Sequence, residues 1–193
     1  QEAIDPKGPN IKEIVQKHYN PIITKIRQIN KPVIAAVNGI AAGAGANLAL
    51  ACDIVLASKS AGFIQAFSKI GLVPDSGGTY FLPRLIGLQK AAALMMTGDT
   101  VSADEAEKMG MIYKVYEDDK FEEESLKFAQ KISEMPTKSL GNIKYLLSKS
   151  FDNTLASQLE IEAETQVMSA KTKDHQEGIN AFLEKRKPRF SGK

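Results

Sequence analysis

The chain has 193 residues, 43% of them hydrophobic and 25% charged, with a formal net charge of +2. That size allows one sizeable core with a small appendage, and so small a net charge gives no general attraction for nucleic acid. The single cysteine, Cys52, excludes a disulfide framework and suits a reducing compartment. No apolar run approaches the ~20 residues that span a bilayer. A cytoplasmic location is expected, with neither membrane nor nucleic acid as partner. The chain opens on Gln1 without a secretory signal, a start that suggests an N-terminally incomplete chain.

Residues 1–9 read as an irregular lead-in. Asn10 and Glu13 have capping-box spacing, and Ile11, Ile14, Val15, Ile22, Ile26 and Ile29 recur at helical intervals. Pro21 falls inside that pattern and predicts a kink. VIAAV, ended by Asn38-Gly39, is a buried strand. The stretch IAAGAGANLALACD is small and helix-prone, and IVLAS is a further strand. A short strand over Gly62–Gln65 and a helical turn over Ala66–Gly71 precede the loop VPDSGG. Residues Thr79–Leu94 hold helices punctuated by Pro83 and Gly87. Ser102 and Glu105 make a second capping box on a helix that ends at Gly110, and MIYKVY is a strand. Beyond about residue 118 the pattern is helical, in four or so amphipathic segments. Strands alternating with helices, then helices alone, predict an α/β core with a C-terminal helical appendage. Met95, Met96, Met109 and Met111 read as core filler, and Cys52 as a small buried hydrophobe.

Several chemical motifs fail. Gly43-Ala44-Gly45 after a strand resembles a dinucleotide turn, but the next small residue would fall at Leu48, and no acid follows at ribose distance. The one Gly-Lys pair is C-terminal, so there is no phosphate loop. His18 and His175 have no ligand spacing with Cys52 or each other, and no metal is expected. The PDSGG stretch looks like a serine-protease motif, and His18, Asp53 and Ser76 even follow in His–Asp–Ser order. Yet the periodicity is helical, and Pro74 stands where a nucleophile elbow needs glycine.

Four landmarks stand in one order over most of the chain: KPVIAAVNGIAAGAGANLALACDIVLAS, FSKIGLVPDSGGTYFLPRLIG, MTGDTVSADEAEKMGMI and EGINAFLEKRKPRF. On these the chain resembles the crotonase (enoyl-CoA hydratase/isomerase) superfamily. The resemblance implies an α/β fold: a crotonase-type ββα spiral core over residues 1–132, lacking its N-terminal part, then a C-terminal helical trimerisation region over 133–193. It also implies a homotrimer, or a hexamer of two trimers. The substrate would be an acyl-CoA thioester, with no cofactor beyond the coenzyme A that the substrate carries.

Crotonase chemistry holds a thioester enolate oxygen between two backbone N–H groups. A Gly-rich turn opening a helix exposes such groups, and Ala44, flanked by Gly43 and Gly45, matches the family position for one of them. Taken alone, the same turn is equally a close-packed strand–helix junction. The segment that carries the family's second donor has no match here. Hydratases of the family use two glutamates, and the resemblance places Asn47 and Phe67 at those positions. Neither can exchange a proton at neutral pH. Asp75 instead matches the place where isomerase branches carry an acid, and apolar neighbours such as Val73, Phe67 and Phe81 would desolvate it. Ser76 beside it is expected to be incidental, and Asp75 read without the family is a helix-capping turn residue. Phe182 and Lys185 match positions that contact the adenine and phosphate end of CoA, often in a neighbouring subunit; a frayed, solvated basic tail is the plainer reading. The wording is nearest to the branch that rearranges an aryl-epoxide CoA thioester in phenylacetate degradation, whose relatives shift double bonds of 3-enoyl-CoA. The rival readings are an enoyl-CoA hydratase-like enzyme and a non-catalytic acyl-CoA-binding scaffold.

Overall fold

The computed structural model describes residues 10–193, so the expected lead-in over 1–9 lies outside the described residues. The chain divides into two compact units. The first runs from the first described residue to Gln28 and from Val33 to Ser125, and the second comprises Ile29–Pro32 and Leu126–Lys193.

In the first unit, α1 (Ile11–Ile14) passes through a π turn (Val15–Tyr19) into α2 (Asn20–Gln28). Asn10 caps α1 by accepting from the Lys12 N–H, while Glu13 pairs with Lys17 instead of closing a capping box. Pro21 is the second residue of α2, one residue beyond the π turn. Its ring would clash with the carbonyl four residues back in a regular helix, and the widened turn absorbs the expected kink.

Next come β1 (Ile34–Val37), β2 (Ile40–Ala42) and α3 (Ala44–Leu50), then β3 (Ile54–Ser58), β4 (Gly62–Ile64) and a 3₁₀ turn (Ser68–Ile70) before α4 (Gly78–Ile86). Strand β1 pairs parallel with β3, and β2 parallel with β4. Each ββα turn of the chain therefore lays one strand in each of two sheets. Beyond α5 (Leu88–Thr97), β5 (Thr100–Ser102) joins β4 antiparallel, and after α6 (Ala103–Lys108), β6 (Lys114–Tyr116) joins β3. Two of these strands escape the sequence pattern. Ile40–Ala42 lies in a stretch expected to be helix-prone, and the sequence reading assigns no strand at Thr100–Ser102; three-residue strands carry little propensity and exist because β4 offers them a partner. Ser102 does form the expected capping box with Glu105.

The core of this unit is rich in alanine, with Ala46, Ala49, Ala57, Ala61, Ala91, Ala103 and Ala106 packed around Leu50, Val55, Phe63, Leu82, Val101, Met111 and Ile112. Small side chains let helices approach the sheets closely. Met111 is core and Met95 and Met109 pack against it, but Met96 is 77% exposed on α5 and fills nothing. Cys52 is half-buried rather than buried, its Sγ–H directed at the Leu48 carbonyl. Arg27 donates to the Ala51 carbonyl and, at 3.0 Å, to the Asp53 carboxylate, whose other oxygen accepts from the Val33 N–H at 2.8 Å. That contact aligns the starts of β1 and β3.

The tightest approach joins α3 to α4. A Cβ added at Gly78 would lie 2.3 Å from Asn47 Nδ2, so the first residue of α4 has no room for a side chain. Gly78→Ala is expected to destabilise the protein by about 1–3 kcal/mol through overpacking, read as a lowered denaturant midpoint at unchanged m-value.

Helix α7 (Phe121–Ser133) spans the division of the chain, and the second unit is otherwise α8 (Thr137–Lys149), α9 (Leu155–Ala170) and α10 (Lys173–Leu183). Helices α9 and α10 are capped by the side chains of Thr154 and Thr172. Residues 29–32 lie on α8: a Cβ at Gly141 would come within 2.8 Å of the Asn30 carbonyl oxygen, and Lys144 donates to the Lys31 carbonyl. Among the described residues, no helix is long and apolar enough to cross a membrane.

The basic tail is not frayed. Buried Asp174 accepts from the Ser191 and Gly192 N–H groups. Glu177 accepts two hydrogen bonds from the Arg186 guanidinium and one from the Arg189 N–H. The Arg186 contact, then that N–H, holds the Glu177 carboxyl down to about 2 from an ordinary 4.5. A carboxyl depressed on folding stabilises the fold above its unfolded value, and the effect fades as pH falls toward the folded value. The melting temperature of Glu177→Gln should therefore trail the parent's at neutral pH, with the gap closing as pH drops from 4.5 towards 2. A gap that stays constant over that range would refute the assignment.

Candidate active site

The Gly-rich turn sits at the junction of β2 and α3. Gly43 is the N-cap, with φ +54 and ψ −123, a conformation that excludes ordinary side chains. Its N–H donates to the Ile64 carbonyl at 2.8 Å and its carbonyl accepts from the Asn47 N–H, which fixes the turn against β4. The Ala44 N–H, first of the helix, has no hydrogen-bond partner among the described residues. A Cβ at Gly45 would meet nothing within 4 Å. Close packing therefore does not explain the glycine at position 45.

Phe67 is buried, and its ring edge stands 3.6 Å from the position of a Cβ on Gly43. It closes one side of the turn as an apolar wall. Asn47 is fully buried, and both ends of its amide are taken: Nδ2 donates to the Asp75 carbonyl at 2.9 Å, and Oδ1 accepts from Gln65 Nε2 at 2.7 Å. Asn47 braces a loop. Asn47 lies three residues after Ala44, about 4.5 Å further along the axis of α3. The brace thus ties the Asp75 backbone to the first turn of α3, whose N-terminal end carries the unpartnered Ala44 amide.

The Asp75 carbonyl also accepts from the Gly78 N–H at 2.9 Å. The Asp75 side chain does not cap α4, whose N-cap is Gly77 with no side-chain hydrogen bond. Oδ1 of Asp75 accepts from Ser76 Oγ at 2.9 Å, and Oδ2 has no partner among the described residues. Ser76 itself has φ +51 and is 2% exposed. A left-handed non-glycine residue costs about 1–2 kcal/mol. No serine triad forms: Asp53 serves Arg27 and Val33, and the Ser76 hydroxyl serves Asp75.

Gly43, Ala44, Gly45, Asn47, Phe67 and Asp75 are thus brought together within the first unit. Sequence reasoning missed Gln65, which looks like an ordinary strand-end polar residue, and the hydrogen bond from Ser76 to Asp75. Phe182 and Lys185 belong to the second unit. Phe182 is 82% exposed and lines an apolar groove of about 610 Å³ with Ile143, Leu146, Ile179, Leu183 and Phe190. Arg186 is committed to Glu177 and Glu184, whereas Lys185 and Lys187 have no ion pair among the described residues.

The enoyl-CoA hydratase/isomerase family matches residues 1–193. The chain is 44% identical over 192 residues to the 1,2-epoxyphenylacetyl-CoA isomerase of Escherichia coli, covering 98% of this chain and 73% of that protein. It is 37% identical over 169 residues to the 2,3-dehydroadipyl-CoA hydratase of the same organism, covering 88% of this chain and 66% of that protein. An enoyl-CoA hydratase/isomerase structure from Cupriavidus metallidurans matches with a TM-score of 0.88 and 36% identity, over 97% of this chain and 71% of that one. Landmarks, strand pairing and solved folds agree, and the chain belongs to the enoyl-CoA hydratase/isomerase, or crotonase, family.

Proposed function

We propose that the protein is an acyl-CoA isomerase that moves a proton on an enolate-stabilised CoA thioester, with Asp75 as the base. Hydratases and isomerases both match this chain, so the family leaves the reaction open and the residues must choose. The observation that carries the reading is the Asp75 loop. Asp75, with one carboxylate oxygen open, is braced through its backbone carbonyl to the first turn of α3, whose end carries the unpartnered Ala44 N–H. Asn47 and Phe67, at the positions of the hydratase glutamates, cannot take up or release a proton.

In the double-bond shift, Asp75 takes a proton from the carbon beside the thioester carbonyl. The electron pair flows to the carbonyl oxygen, where the Ala44 N–H helps hold the negative charge. The same carboxyl then returns its proton two carbons further along, and 3-enoyl-CoA becomes 2-enoyl-CoA. No water is added and no redox partner is needed. The identity with the epoxyphenylacetyl-CoA isomerase supports an aryl-epoxide thioester, 2-(1,2-epoxy-1,2-dihydrophenyl)acetyl-CoA, as the alternative substrate of the same site.

The exposed Phe182 ring suits the adenine of CoA, and Lys185, unengaged by carboxylates, suits its phosphates. Leu147, Phe151, Leu155, Leu159, Val167 and Phe182 of the second unit are all exposed. So much apolar surface supports the homotrimer of the family reading, with the hexamer as its stacked form. Sedimentation equilibrium should return three or six chain masses; a monomer at micromolar concentration would refute this assembly.

Asp75→Asn tests the base. Isomerisation of 3-enoyl-CoA should fall by about 10²–10⁴-fold in kcat, while KM and CoA affinity stay near the parent's. Full activity in that variant would overturn the role, and binding without turnover in the parent would favour a scaffold.

A further inference from the structure

The geometry points to Ser76 as the positioning residue that aims Asp75, contrary to the sequence-based expectation that this serine is incidental. The inference rests on the reading of Asp75 as the base. Ser76 (φ +51) and Gly77 (φ +77) are consecutive left-handed residues. Glycine adopts that conformation freely; serine does so under strain, so a reason for the hydroxyl has to be found. It is not helix capping, since α4 has no side-chain cap. It is not nucleophilic attack, since the side chain is 2% exposed. The one hydrogen bond found for Oγ goes to Asp75 Oδ1 at 2.9 Å.

That bond completes a clamp. The Asp75 backbone is held through its carbonyl by Asn47 Nδ2 and the Gly78 N–H. The carboxylate is held by one oxygen through Ser76, which leaves Oδ2 as the oxygen available to a substrate. A proton transfer between two carbons asks one oxygen to reach both positions without the carboxylate swinging away. Donation by the buried hydroxyl restricts rotation about the side-chain bonds and holds the carboxylate in one orientation. Backbone strain retained at a single residue beside the base fits such a role.

The test uses two variants that remove the same hydroxyl with opposite effects on the backbone. Ser76→Gly relieves the left-handed strain and should hold or raise the melting temperature, whereas Ser76→Ala keeps the strain. In both, kcat for 3-enoyl-CoA isomerisation should fall by about 10- to 100-fold with KM unchanged. In an Asp75→Asn background, Ser76→Gly should cost nothing more. Parental kcat in Ser76→Gly overturns the proposal, as does a kcat that follows the melting temperature across the two variants. Asp75→Asn run alongside separates the two readings. If it is inactive while Ser76→Gly is fully active, only the positioning role fails; if it is fully active, the base assignment fails and takes this role with it.

Discussion

The Asn47 amide, buried on α3, reaches across to the backbone carbonyl of Asp75, and the geometry of the site depends on this contact. It leaves no space between Asn47 and the start of α4, so a glycine must stand at position 78. It also ties the Asp75 loop to the first turn of α3, whose N-terminal end carries the Ala44 N–H. Gln65, buried at the end of β4, satisfies the other end of the Asn47 amide. An unpaired buried amide would cost about 1–3 kcal/mol, so each member of the Gln65–Asn47–Asp75 chain needs the next.

This arrangement gives a family position a different use. Where a hydratase of the resemblance would carry a glutamate, this chain carries the shorter amide of Asn47, which cannot titrate and is spent on structure. The other position holds Phe67, which walls the Gly43 turn. Under the proposed function, proton chemistry falls to a single carboxylate, Asp75, held at its backbone and at one oxygen. The second unit handles its charges in another way. Two carboxylates, Asp174 and Glu177, fold the C-terminal tail back onto α10. Glu177, with Glu184, commits Arg186 to structure, while Lys185 and Lys187 have no ion pair among the described residues.

Much of the fold was legible before any coordinates. Ser102 and Glu105 announce the start of α6, VIAAV and IVLAS read as strands, and the four C-terminal helices follow from periodicity. These signals are local: a cap, a turn glycine or an alternating apolar run acts on residues a few positions away. Strands β2 and β5 were not legible, because three residues of ordinary propensity become strands only when β4 lies beside them. The π turn before Pro21 was legible only as a disturbance, since the sequence marks the clash and the packing chooses its relief.

The sequence by itself determined the family, the Gly43–Gly45 turn with Ala44 inside it, and the presence of one acid at position 75 with none at positions 47 and 67. Tertiary structure alone decided what those residues do to one another. The hydrogen bonds from Asn47 to Asp75 and from Gln65 to Asn47 join residues 28 and 18 positions apart, separations at which no periodicity carries information. Even the contact between adjacent Ser76 and Asp75 required the fold. A serine hydroxyl can turn to many partners, and only the left-handed backbone, held in place by buried neighbours, directs it to the carboxylate.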